Sequence, residues 1–130
     1  MTGLALALVL VIVVELFSTV VHPFPPDFNN TMDEMCQHVA RYPHWVLGGV
    51  VLAWSATTFV STWVATRIGN RLAGLIVTLI LTLAIVFNVT KLPYPVWFKV
   101  VMLSCFAVAC YLGCVRGVQM SRPAAGPITQ

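Results

Sequence analysis

The sequence predicts an all-α membrane protein, a four-transmembrane-helix bundle with a short interfacial helix between helices 1 and 2. Three observations carry that expectation. The composition is 59% hydrophobic and 8% charged, with a mean hydropathy of +0.92, whereas soluble domains keep roughly 25% charged residues to stay dispersed. Four apolar stretches each reach the ~20 residues that a helix needs to cross a hydrocarbon core about 30 Å thick. Prolines, glycines and asparagines gather between those stretches, where they mark turns.

The first span is expected over about residues 3–21. It stops at His22-Pro23-Phe24-Pro25-Pro26, whose prolines lack backbone donors and forbid helix. It has no Lys or Arg before it and holds Glu15, so it reads as a retained helix rather than a cleaved signal peptide. Thr31-Met32-Asp33-Glu34 is a capping box that opens an interfacial helix over about 32–42. Met35, Val39 and Tyr42 line one side of that helix, with Glu34, His38 and Arg41 expected toward water. The second span, about 44–68, starts after Pro43 and ends at Arg67-Ile68-Gly69-Asn70-Arg71. The third covers about 72–90 and the fourth about 96–115, separated by Pro93-Tyr94-Pro95. Residues 1–116 thus form one membrane domain, and 117–130 are expected as a disordered tail.

A net charge of +3 is spread over the chain without a basic run, so no nucleic-acid partner is expected. Cys36, Cys105, Cys110 and Cys114 include no Cys-x-x-Cys pair. With the amino terminus inside, Arg67, Arg71, Arg116 and Arg122 fall on the cytoplasmic side against Arg41, Lys91 and Lys99 outside. That small bias favours both termini cytoplasmic and leaves dual topology open. Segments 17–28 and 87–98 share Phe17 and Phe87, a Pro-aromatic-Pro corner and Phe28 and Phe98 at equal spacing. Two tandem hairpins would explain this, as would the gathering of prolines and aromatics at membrane interfaces.

Glu15 is the most informative residue, because a carboxylate within a span costs several kcal/mol unless it is neutralised, paired or turned inward. Ser18, Thr19 and His22 follow on its helical face, and Glu15 lies roughly 10 Å below the end of its helix. Asn88, Lys91 and Lys99 are expected at similar depth, with His44 above them. The expected cluster is therefore Glu15, Ser18, His22, Asn88, Lys91 and Lys99. One reading makes Glu15 a proton- or cation-binding carboxylate that exchanges a proton for cargo. The other makes it structural, paired with Lys99 or Lys91 or held protonated by Ser18 and Asn88.

His22, Cys36, His38 and His44 have the right atoms for a transition metal. Cys36 and His38 diverge by about 200° on a helix, so no metal and no cofactor are expected. Asn29-Asn30-Thr31 matches a glycosylation acceptor, which matters only in a eukaryotic secretory route. Gly49, Ala53, Thr57, Ser61, Ala65 and Gly69 put a small residue at every fourth position of the second span, a seam for close helix packing. Cys105, Ala109, Gly113 and Gly117 form a shorter seam on the fourth. Either seam can serve within the chain, in a homodimer or in a larger membrane complex. Trp45, Trp63 and Trp97 fit interfacial belts, and Trp54 lies deeper.

Glu15, His22-Pro23-Phe24-Pro25, the Met- and His-bearing surface helix, Trp63-Val64-Ala65-Thr66-Arg67-Ile68, and Asn88 before Leu92-Pro93-Tyr94-Pro95-Val96-Trp97 resemble a family of short bacterial four-span membrane proteins. The likeness covers about residues 3–115, supplies no activity and implies a bacterial inner membrane. In architecture the chain is also similar to small multidrug resistance exporters, dimeric four-span proteins with an essential Glu in the first helix. Glu15 matches that placement, while the long segment after the first span and the Pro-aromatic-Pro corners depart from it.

The expected function is a small transporter-like bundle with a proton- or cation-binding carboxylate at Glu15. The alternative is a structural or accessory subunit of a larger membrane complex. No nucleophile, base and orienting group recur together, so no enzyme is expected.

Overall fold

Proline corners and polar caps divide the chain into the helices that hydropathy predicts. The computed structural model describes residues 2–29 and 31–121. Among them α1 spans Thr2–Val21, α2 Met32–Ala40, α3 His44–Val64, α4 Arg71–Lys91 and α5 Val96–Ser121. Four of these, with α3 counted through Gly69, are long and apolar enough to cross a bilayer, and the fold is that of a multi-pass membrane protein. An even number of spans returns both ends of the bundle to one side, the terminal side. The interfacial helix α2 and the Pro93 corner lie at the opposite end, the α2 side.

Three boundaries differ from expectation, each for a local reason. The interfacial helix ends at Ala40, where the Arg41 amide donates to the His38 carbonyl and the Tyr42 amide to the Val39 carbonyl, each at 3.1 Å. The second span finishes in a widened π-helical turn, Ala65–Gly69, that keeps Ala65 and Thr66 buried while Arg67 turns outward. Asn70 then caps α4, its side chain accepting from the Ala73 amide at 2.8 Å. The fourth span runs past its expected end near Val115 to Ser121, so residues 117–121 are helical rather than tail. The remainder of the expected disordered tail, 122–130, lies outside the described residues, as does Arg122.

The capping box forms in part as read. Thr31 accepts from the Glu34 amide at 3.3 Å, and the Glu34 carboxylate reaches back beyond Thr31 to the Asn29 amide at 2.8 Å. Those Asn29 hydrogen bonds, helped by Thr31, hold the Glu34 carboxyl below its ordinary range.

Helix α3 is the centre of the bundle. It packs most extensively against α5 and next against α1, with α4 closing the remaining side; α1 and α5 make no backbone approach to each other. The pairing of α4 with α5 is much looser than that of α1 with α3, so the two expected tandem hairpins do not pack alike.

The expected seam on α3 faces α1. Thr57, Ser61 and Ala65 are buried, Ala65 meets Gly3, and Gly49 lies near Phe17. Gly69, the predicted last member, is exposed at the end of the π turn. A second row on α3 serves α5, where a Cβ at Gly113 would come within 2.9 Å of the Phe59 carbonyl and one at Gly117 within 2.6 Å of Thr66 Cβ. Gly74 of α4 receives the other side of Thr66. Small residues thus let backbones approach where lipid supplies no hydrophobic drive.

Hydroxyls within the spans mostly return to their own helix, as Thr66 does to the Thr62 carbonyl at 2.8 Å and Ser55 to Val51 at 2.7 Å, which satisfies them without water. Thr62 also meets Thr78 at 3.3 Å across to α4. The α2-side half of the core is instead large and apolar, with Leu47, Ile85 and Phe98 each about fully buried.

Candidate functional site

Glu15 lies in the α2-side half of α1, with Val14 before it buried and Ser18 one turn on half-buried. These three residues form one wall of a cavity. Helix α3 supplies Leu47, Val50 and Trp54 at helical spacing, α4 supplies Ile85, Asn88 and Val89, and α5 supplies Phe98 and Met102. Tyr42, from the link between α2 and α3, and Tyr94, from the Pro93 corner, complete the lining. All four spans therefore meet at one chamber.

The space open to water centres there is about 50 Å³, room for roughly three or four waters at ~10–15 Å³ each. Glu15 stays exposed at the rim.

Tyr94 is aimed by its corner. Its amide bonds the Leu92 carbonyl at 2.9 Å, its ring lies 4.5 Å from that of Phe98, and its hydroxyl donates to Asn88 Oδ1 at 3.2 Å. Burial raises the Tyr94 phenol above its ordinary value, with the charges of Tyr42 and Glu15 adding to the effect. Burial and then Glu15 raise Tyr42 likewise. Both phenols therefore remain protonated donors at neutral pH, beside a single carboxylate.

Glu15, Ser18 and Asn88 come together as expected, but the other predicted members do not join them. Lys91 is exposed in the last turn of α4, where the helix dipole favours a cation. Lys99, half-buried on α5, is not among the residues that line the cavity. Neither makes an ion pair with Glu15, and among the described residues no hydrogen bond reaches its carboxylate. The expected Glu15 to lysine pair is thus absent because the helical phase of α4 and α5 carries both ammonium groups outside the chamber. The expected hold by Ser18 and Asn88 is not formed either, since Asn88 Oδ1 accepts from Tyr94 instead.

His22 belongs to a different structure. Its ring stacks on that of His38 at 4.5 Å and meets Tyr42 edge-on at 4.9 Å, and Phe24 covers the far face of His38 at 4.6 Å. His38, expected toward water, is therefore buried at 5% exposure, and its Nε2 has no hydrogen-bond partner. This pile of rings ties α2 to the bundle and reaches the cavity through Tyr42.

The metal candidates do not converge. Stacked imidazoles point their in-plane lone pairs side by side, and among the described residues no three His, Cys, Asp or Glu side chains gather. His44 instead neighbours Trp97 at 5.7 Å, and Cys36 stays a free thiol.

Sequence reasoning missed Tyr42 and Tyr94 as cavity residues. The signal for Tyr94 was its place between two prolines, which fixes the chain direction on both sides. Tyr42 was read as a membrane contact because its helix was extended past Ala40. Trp54, read as deep, lines the chamber at 7% exposure.

Compared with protein-family models, curated proteins and solved structures, the chain matches none.

Proposed function

We propose that this protein is a small transporter-like bundle in which Glu15 binds a proton or a cation and exchanges it for cargo. We assign it to a bacterial inner membrane with both termini cytoplasmic. The observation that carries the reading is an intramembrane carboxylate, without an ion-pair partner among the described residues, at the rim of a small chamber walled by all four spans. Carboxylates retained at such depth mark ion or proton pathways. Protonation neutralises Glu15 and lowers its cost in the membrane; deprotonation leaves an anion that a cation can replace the proton on.

The alternative, an accessory subunit of a larger membrane complex, has less behind it. Its support was the pair of small-residue seams, and those seams pack within the chain through Ala65 on Gly3 and Thr62 and Thr66 on Gly113 and Gly117.

Reconstitution into liposomes carrying an internal pH dye tests the reading. An imposed cation gradient should drive proton movement by the wild type and by Glu15→Asp, while Glu15→Gln inserts normally and is silent. Equal proton movement by Glu15→Gln would remove Glu15 from the mechanism. Loss of the inserted protein itself in Glu15→Gln, with Glu15→Asp also lost, would make the carboxylate structural.

A further inference from the structure

We propose that the Glu15 chamber takes a small organic monocation bearing N–H donors, a protonated primary amine of about the size of methylammonium. The proposal rests on the reading of Glu15 as a cation-binding carboxylate and adds the class of cargo.

Charge comes first. The lining holds one carboxylate and no Lys, Arg or His, so an anion would meet an uncompensated like charge. Size comes next. The open space of about 50 Å³ admits a body of roughly three or four heavy atoms, at ~10–15 Å³ of such space for each water-sized group. Large lipophilic cations do not fit this chamber.

The remaining choice is between an ammonium and a metal ion. Alkali and alkaline-earth ions need about six or more oxygen ligands once stripped of water. The chamber offers the Glu15 carboxylate, Ser18, the second lone pair of Asn88 Oδ1 and two neutral phenols, of which Tyr94 already donates to Asn88, so a stripped metal ion would lean on weakly ligating neutral hydroxyls for about half of such a shell. The rest of the wall is apolar or aromatic.

An amine reverses that balance. Its N–H groups can donate to Glu15, Ser18 and Asn88, and its methyl or methylene end meets Val14, Leu47 and Val50. Trp54, Tyr94 and Phe98 present aromatic surface, which attracts a desolvated cation and adds to binding without supplying ligands. Loss of the Glu15 proton on binding would couple the amine to proton release through one shared carboxylate.

The test uses the purified full-length chain in lipid nanodiscs, titrated calorimetrically with methylammonium chloride against sodium chloride, tetramethylammonium chloride and sodium acetate. Saturable binding of methylammonium alone is expected, weakened about tenfold or more in Glu15→Gln because a charge-assisted hydrogen bond is lost. Glu15→Asp should retain part of it, which separates lost chemistry from lost folding. Binding of tetramethylammonium as tight as methylammonium, or of sodium as tight, overturns the assignment, as does methylammonium binding that Glu15→Gln leaves unchanged. The liposome proton assay separates the two proposals. If Glu15-dependent proton movement persists while methylammonium fails to bind, the cargo class is wrong and the carboxylate reading stands; if both fail, both fall.

Discussion

Among the described residues, the Tyr94 to Asn88 hydrogen bond is the one that links two elements at the chamber wall, and its value can be measured. Removing the hydroxyl in Tyr94→Phe leaves Asn88 Oδ1 half-buried without its donor, which should lower stability by about 1 kcal/mol or somewhat more. Replacing both partners, as Tyr94→Phe with Asn88→Leu, should recover part of that loss, because a paired deletion leaves no unmet polar atom. Thermal unfolding in detergent reads the cycle, and full additivity would mean the bond contributes nothing. His38 makes a pH prediction at the same scale. Its imidazole is held below its ordinary range by burial, then by the neighbouring His22 and by Arg41. Asp27 and Glu34 line a shallow pocket together with His38, and a backbone hydrogen bond with His22, which favours the charged ring, does not overcome the burial. A depressed histidine means that the unfolded chain binds the proton more readily. Stability is therefore fully present above about pH 6.5, the unperturbed value, and falls as pH drops below it toward the folded value. The melting temperature should decline between about pH 7 and pH 5, and His38→Phe, which keeps a ring in the stack, should flatten that slope.

At the scale of elements, glycine decides which helices can touch. A methyl at Gly113 would press on the Phe59 carbonyl and on Thr62, and backbone cannot step aside as a flexible side chain can. Gly113→Ala should therefore destabilise the bundle by about 1–3 kcal/mol from overpacking, outweighing the gain of up to ~1 kcal/mol in helix propensity. Gly48→Ala, with nothing near its would-be Cβ, should be neutral or slightly stabilising. Melting temperatures of the two variants in detergent would have opposite signs, and a shared sign would mean that α3 and α5 are not in contact here. This contrast also explains what the sequence conveyed. The existence and order of the spans were legible, because hydropathy over ~20 residues is set by the bilayer and not by neighbours. The buried face of each span was not, because lipid-facing and core-facing positions are equally apolar, as exposed Leu8 and buried Ala7 on α1 illustrate. Only small and polar residues mark a face. The row from Gly49 to Ala65 was found that way. The row through Phe59, Thr62 and Thr66 was missed because Phe59 contributes only its backbone to Gly113. Gly3, Ala7 and Gly74 carried the same small-residue signal on other helices. In the site, Glu15, Ser18 and Asn88 were found by polarity, whereas Lys91 and Lys99 were included by depth alone and lie at the wrong helical phase.

Over the whole molecule, the Glu15 chamber lies toward the α2 side, while toward the terminal side α3, α4 and α5 approach closely at Thr62, Thr66, Gly74, Gly113 and Gly117 and a separate cavity opens between Gly3, Ala65, Ala73 and Val77. A bundle so built has a direction, and the proposed exchange at Glu15 depends on which side of the membrane the chamber faces. Among the described residues, Arg67, Arg71 and Arg116 lie at the terminal side against Arg41, Lys91 and Lys99 at the α2 side. The basic excess that orients membrane proteins therefore rests on Arg122. Cysteine labelling measures the outcome. In a background with Cys36, Cys105, Cys110 and Cys114 replaced by Ala, Asp33→Cys reports the α2 side and Thr2→Cys the terminal side, both at exposed positions. With the termini cytoplasmic, a membrane-impermeant maleimide should label Asp33→Cys in intact cells and Thr2→Cys only after permeabilisation, and the chamber faces outward. The reverse pattern would invert the assignment and turn the chamber toward the cytoplasm. Partial labelling of both sites in intact cells would identify a dual-topology protein, because each chain has only one side exposed. Adding one Lys beside Arg71 should then drive the mixture toward the cytoplasmic-termini form, since a balance this close is tipped by a single basic residue. In that case two copies in opposite senses would present Glu15 to both faces of the membrane.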